Sequence, residues 1–180
     1  MKESDTIWIA CDHGGYDLKL QVIEYLRNHP IPVHDAGCNS TEIVRYPYYA
    51  AQVAEAITRG DAHRGILICS TGVGMSIIAN KYPGIRASLC TSTYMAKLTR
   101  AHNDSNVLCL GGKTTGVFEA LDMLEAWLTT PYEEGRHAIS LGLITEAEKA
   151  LTKSGIWNPA DPMKPSVQPE KQQTNKVGKP

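Results

Sequence analysis

The sequence predicts an α/β fold: a Rossmann-like three-layer sandwich with a five-stranded parallel sheet, strand order 2-1-3-4-5, and helices on both faces. Two observations point there. Short β-branched apolar runs alternate with longer stretches whose apolar residues recur at helical spacing, the pattern of repeated strand–helix–strand units. The residue types that carry chemistry cluster just after those runs, where open parallel sheets place their ligands. A different order of the same five strands fits the same alternation.

Ile7–Cys11 reads as the first strand. Leu18, Val22, Tyr25 and Leu26 then follow at helical spacing, and Pro30 and Pro32 end that helix. Val33–Asp35 is a short second strand, followed by a loop with Gly37, Asn39 and Ser40. Tyr49, Val53, Ala54 and Ile57 mark a second helix that stops near Gly60. Gly65–Cys69 is the third strand, leading through a Gly-rich turn into a short helix, Ser76–Lys81, ended by Pro83-Gly84. Ile85–Cys90 is the fourth strand, Thr93–Ala101 a helix and Val107–Leu110 the fifth strand. Thr115 is placed to cap a helix over Gly116–Leu128, and a last helix is expected from Arg136 to Leu151. The chain thus divides into a domain over residues 1–156 and a Pro-, Lys- and Gln-rich tail over Trp157–Pro180. The tail holds too few apolar residues to offset its ordering entropy and is expected to be disordered.

The 180 residues suffice for one buried core, and a formal net charge of -1 provides no basic field for nucleic acid or an anionic membrane. No apolar stretch is long enough to span a bilayer. The five cysteines, Cys11, Cys38, Cys69, Cys90 and Cys109, are odd in number and form no C-x-x-C pair, so neither a disulfide framework nor a zinc knuckle is expected. Reduced thiols and a polar start without a leader pattern fit the cytoplasm.

Three strand ends carry the chemistry. The first strand ends in Cys11-Asp12-His13-Gly14-Gly15, which puts an acid–base pair on one loop. The third ends in Cys69-Ser70-Thr71-Gly72-Val73-Gly74-Met75-Ser76. There the glycines allow a tight turn with exposed amides, and the following helix adds its positive dipole end. Such a turn holds a phosphate or the oxyanion of an enediolate. It lacks the Lys of a P-loop and the third Gly of a dinucleotide fingerprint. Cys69, beside those amides, is placed to be a thiolate that abstracts a proton from carbon. Taken alone, a strand-end Cys is more often a small buried hydrophobe. His102-Asn103-Asp104 breaks the chain before the fifth strand, and Gly111-Gly112-Lys113 follows that strand. Arg136-His137 offers a guanidinium fork suited to phosphate.

Taken together and in order, Cys11–Gly15, Ile68–Ser76, Ala79-Asn80-Lys81, Gly84-Ile85-Arg86-Ala87, His102–Val107 and Gly135-Arg136-His137 resemble the ribose-5-phosphate isomerase B family, which includes galactose-6-phosphate isomerase subunits. The resemblance covers Ile7 to Leu151. It implies an aldose–ketose isomerase of phosphorylated sugars with no metal or other cofactor. It also implies a homodimer or dimer of dimers whose active sites lie between subunits. Cys69 is then the base. One branch of the family uses a Glu instead, at the position held here by Met75, so the chain looks like the Cys branch.

The implied reaction is a proton shift through a cis-enediolate. His102, with Thr71, helps open the cyclic sugar, and Asp12 moves a proton between the oxygens. Amides of Gly72, Val73, Gly74, Met75 and Ser76 hold the enediolate. His13 and Arg136 hold the phosphate, with Lys113 on the same group, and Asn103 contacts the substrate. Three positions depart from the family pattern: Lys113 and Ser140 stand where many members carry Arg, and Ser70 where a Gly is common. They bear on which sugar is used, so allose, galactose or tetrose phosphates stand beside ribose 5-phosphate. A non-catalytic sugar-phosphate-binding subunit and a nucleotide-binding signalling domain are the competing classes.

Overall fold

The computed structural model describes residues 6–155, so the expected tail, Trp157–Pro180, lies outside the described residues. The chain alternates strand and helix: β1 (Ile7–Cys11), α1 (Tyr16–Asn28), β2 (Val33–Asp35), α2 (Tyr46–Arg59), β3 (Arg64–Cys69), α3 (Val73–Ala79), β4 (Ala87–Leu89), α4 (Thr93–Asn103), β5 (Val107–Gly111), α5 (Val117–Thr129) and α6 (Arg136–Ser154). No described helix is long and apolar enough to cross a membrane.

All pairings in the sheet are parallel, and the strand order is β2-β1-β3-β5-β4. The predicted fold class holds, with the last two strands exchanged relative to the expected order 2-1-3-4-5. Burial explains the exchange. All five residues of Val107–Gly111 are buried, as a strand flanked on both edges and covered on both faces must be. Ala87–Leu89 has three residues, only half-buried, and fits an edge. It is also shorter than the expected Ile85–Cys90.

The period-2 alternation of the strands splits the core into two layers. Ile66 and Ile68 face Leu18, Val22, Leu26, Met123, Leu124 and Trp127 of α1 and α5. Leu67 and Cys69 face Val53, Ala54, Met75 and Ala79 of α2 and α3. Each large aliphatic side chain buried in this way contributes about 1.5–3 kcal/mol. The indole of fully buried Trp127 donates to Ser105 Oγ at 2.8 Å, so its polar edge is satisfied inside the first layer.

Two helix starts differ from expectation. α3 begins at Val73, directly after Gly72 in the left-handed region, three residues before the predicted Ser76. α5 is entered from Gly116 with no side-chain cap, so Thr115 does not fill that role. At the other ends, Gly60 (φ 84) closes α2 and Asp104 (φ 44) closes α4.

Among the described residues, one charged side chain is wholly inaccessible to solvent. Lys19 of α1 is 0% exposed, and its ammonium donates to both Asp35 oxygens (2.6 and 2.8 Å) and to the Cys38 carbonyl (2.7 Å). Its three donors meet three acceptors, which is the condition for burying an ammonium.

By its contacts the chain divides into two compact units, one ending at Ala138 and the other beginning at Ile139. The described part of the second is the rest of α6, and no residue of α6 is buried.

Candidate active site

At the carboxyl end of the sheet three loops pack backbone against backbone. The Asp12 amide donates to the Ile68 carbonyl (3.1 Å), the Gly112 amide to Cys69 (2.8 Å) and the Lys113 amide to Ser70 (3.0 Å). A Cβ on Gly112 would stand 2.5 Å from the Gly14 carbonyl oxygen, so only glycine lets the first and last loops approach this closely. The residues predicted on Cys11–Gly15, Cys69–Ser76 and Gly111–Lys113 thus belong to one platform.

Cys69 ends β3 with its sulfur toward the α2/α3 layer, 5% exposed. The Gly72 amide donates to its Sγ at 3.1 Å. Gly72 reaches that position at φ 75, and a Cβ there would stand 2.6 Å from Leu89 Cδ1 and 2.9 Å from the Leu110 carbonyl carbon. The turn therefore aims an amide and the N-terminal end of α3 at the sulfur. Three other thiols are shifted. Burial pushes Cys90 up to about 12 and Cys109 well above its ordinary value. Burial also raises Cys11, partly offset by the Lys19 charge. Those three stay protonated and inert at neutral pH.

The amide cradle is narrower than expected. The Ser76 amide is spent on the Gly72 carbonyl (3.1 Å), its ordinary helical bond. The Val73 amide reaches Thr71 Oγ1 at 3.4 Å. The Gly74 and Met75 amides in the first turn have no protein acceptor among the described residues. The Met75 side chain is itself fully buried in the core, so only its backbone faces the turn.

Asp12, 6% exposed, accepts the Gly14 amide at 2.8 Å, which fixes its carboxylate over the loop. His13 is held by Val44, its Nδ1 lying 3.3 Å from the Val44 nitrogen and 3.2 Å from the Val44 carbonyl oxygen. Thr71 and Lys113 are exposed on the same rim.

His102, Asn103 and Arg136 lie elsewhere. α4 runs back against the direction of the strands, so its last turn returns to the amino end of the sheet. There the Asn106 carbonyl accepts the Gly65 amide from the start of β3 (2.8 Å). Cys69 stands four residues further along β3, about 13 Å away at strand rise. Among the described residues no hydrogen bond, ion pair or ring contact joins the Cys69 group to the His102 group.

His102 stacks on His137 with ring centroids 4.1 Å apart and planes 9° from parallel. Their Nε2 atoms lie 3.7 and 3.6 Å from the same Glu133 Oε2. Arg136 Nε reaches His137 Nε2 at 3.4 Å, and the Glu133 amide is tied to the Ala101 carbonyl at 2.9 Å. The sequence reading missed Glu133. It sits in the acidic run Glu133-Glu134, where nothing local separates a partner of two imidazoles from a solvated side chain. Two His and a carboxylate within 4.8 Å are zinc-type donors. The two imidazoles stack with a single carboxylate oxygen near both Nε2 atoms.

A family model described as Ribose/Galactose Isomerase matches residues 7–144. Ribose-5-phosphate isomerase B of Escherichia coli (strain K12) is 46% identical over 143 residues, 79% of this chain and 96% of that protein. Among solved structures, ribose-5-phosphate isomerase B of Clostridium thermocellum is 47% identical, with a TM-score of 0.79 over 80% of this chain and 97% of that one. The Mycoplasma genitalium enzyme, determined with bound ribulose-5-phosphate, is 36% identical, with a TM-score of 0.77 over 80% and 96% of the two chains.

Proposed function

Since the chain belongs to the ribose/galactose isomerase family, we propose that it interconverts ribose 5-phosphate and ribulose 5-phosphate with Cys69 as the base. Membership makes it an aldose–ketose isomerase acting on a sugar phosphate. The observation that carries the assignment of the base is the 3.1 Å bond from the Gly72 amide to Cys69 Sγ at the start of a helix.

In this mechanism His102 and Thr71 assist opening of the cyclic sugar by moving a proton from the C1 hydroxyl to the ring oxygen. The Cys69 thiolate takes the proton from C2 of the open aldose, leaving a cis-enediolate. The Gly74 and Met75 amides, with Gly72 and Val73 behind them, stabilise its oxyanion. Ser76 serves through its place in the first turn, since its own amide is bonded. Asp12 carries a proton between O1 and O2, and the thiol returns its proton to C1 to give the ketose. His13, Arg136 and Lys113 hold the phosphate, and Asn103 contacts the sugar hydroxyls.

Cys69 and His102 stand at opposite ends of the sheet, so one chain does not supply both to one sugar. Two copies do, with His102, Asn103 and Arg136 of one subunit meeting the Cys69 platform of the other. The working form is therefore a homodimer or a dimer of dimers, acting in the cytoplasm. The decisive assay incubates the purified chain with ribose, allose, galactose and tetrose phosphates in deuterated water. Fastest ketose formation from ribose 5-phosphate, with deuterium entering the carbon chain, is expected. No turnover of any aldose phosphate would leave the reading without support and favour a binding subunit.

A further inference from the structure

A cavity of about 460 Å³ opens at the amino end of the sheet, lined by Arg64, Arg86 and Arg100 together with His63, Asn106 and Asp104. Its charge is unbalanced, because Asp104 is the one acid in the lining against three guanidiniums. That carboxylate is already shared, with Arg86 at 2.9 Å and Arg100 at 2.8 Å. Arg86 is otherwise anchored to the Asn103 and Asp104 carbonyls, both at 3.0 Å, and to the Gly84 carbonyl at 3.5 Å. Arg100 is 6% exposed, and its Nε has no partner among the described residues. Arg64 lies over the Trp127 ring and donates only to the Leu128 carbonyl, at 3.1 Å, among the described residues. Burial and the Arg100 charge lower its pKa, and the Asp104 charge offsets them only in part.

We propose that this cavity is a second anion site, which takes a phosphate dianion, free or at the end of a small ester, on Arg64 and Arg86. Guanidinium is planar, always charged and matched to two phosphate oxygens at once. The volume is of the size that holds a small organic ligand. A dianion there supplies the charge that one shared carboxylate does not. The cavity shares none of its lining with the Cys69 platform or the His102–Glu133–His137 cluster. Through Arg100 and Asp104 it touches the last turn of α4, which carries His102.

Calorimetric titration of the full chain with inorganic phosphate and with glycerol 3-phosphate, in wild type, Arg64→Gln and Arg64→Lys, tests this. Arg64→Gln is expected to remove one binding event per chain, or weaken it by about tenfold or more, while turnover stays within about twofold. Arg64→Lys, which keeps the charge, is expected to retain binding. The tighter of the two anions identifies the form that the site takes. Identical isotherms in wild type and Arg64→Gln overturn the proposal. Should Arg64→Gln fail to fold, wild-type crystals soaked in phosphate decide it. Density against Arg64 and Arg86 supports the site, and a cavity without phosphate while the Cys69 platform is filled overturns it.

Discussion

The Gly72 amide donates to Cys69 Sγ at 3.1 Å, across a turn that opens in the left-handed region. The contact fixes the sulfur at the end of β3, beside the first-turn amides of α3, where a proton-abstracting base would face the enediolate it forms. Cys69→Ala is expected to lower kcat for ribose 5-phosphate by about a thousandfold or more while the melting transition stays cooperative. Turnover near wild type would remove the sulfur from the mechanism.

Gly72→Ala tests the turn itself. A side chain at φ 75 is strained, and its Cβ would meet Leu89 and the Leu110 backbone. A loss of about 1–3 kcal/mol in stability is expected, with a drop in turnover as the amide swings off the sulfur. Denaturant titration and a rate assay on the same preparation measure both.

Sharing of the site between copies predicts complementation. Cys69→Ala and His102→Ala are each expected to be nearly inactive. Unfolded together and refolded, half of the dimers are mixed and each carries one intact site of two, so about a quarter of wild-type activity returns. Recovery of none would place both groups in one chain or remove one of them from the reaction.

The buried ion pair predicts an asymmetry. Lys19 is 0% exposed, whereas the Asp35 side chain is 32% exposed. Asp35→Asn leaves a buried ammonium short of its anion and is expected to cost about 3–5 kcal/mol. Lys19→Met leaves a carboxylate that water reaches, so its loss is expected to be smaller, about 1–3 kcal/mol. Chemical denaturation of the two variants ranks them.

The buried thiols predict a loss of stability at alkaline pH. Cys90 is raised to about 12 by burial, and Cys11 and Cys109 are raised as well. Above pH 9 the unfolded chain loses these protons while the folded chain keeps them, so folding weakens as pH rises. Each thiol contributes up to about 1.4 kcal/mol per pH unit in that range, and for Cys90 the decline ends near pH 12. Urea midpoints from pH 8 to 11 are expected to fall, and Cys90→Ala to reduce the slope.

Much of the fold was legible because it is local. Helical spacing around Leu18–Leu26 and Val53–Ile57, and apolar runs at Ile66–Cys69 and Val107–Leu110, show in a short window. The order of β4 and β5 did not follow from the alternation, since both orders satisfy it. The contrast between the apolar run Val107–Leu110 and the short Ala87-Ser88-Leu89 was the cue. At the candidate site the strand-end residues were visible, because the Gly-rich turns that place them are contiguous. Glu133 was not, because what distinguishes it is its distance to His102, a contact made across 31 positions of sequence. The bonded Ser76 amide was hidden because the helix starts three residues earlier, inside the Gly-rich turn that was expected to precede it.

β3 has a neighbour on each edge, while β2 and β4 each have one. Backbone framed on both sides is the last to open when a domain breathes. Fraying along the rim therefore leaves the atom at the tip of β3 where it was, and warming disturbs that atom only when the domain melts as a unit.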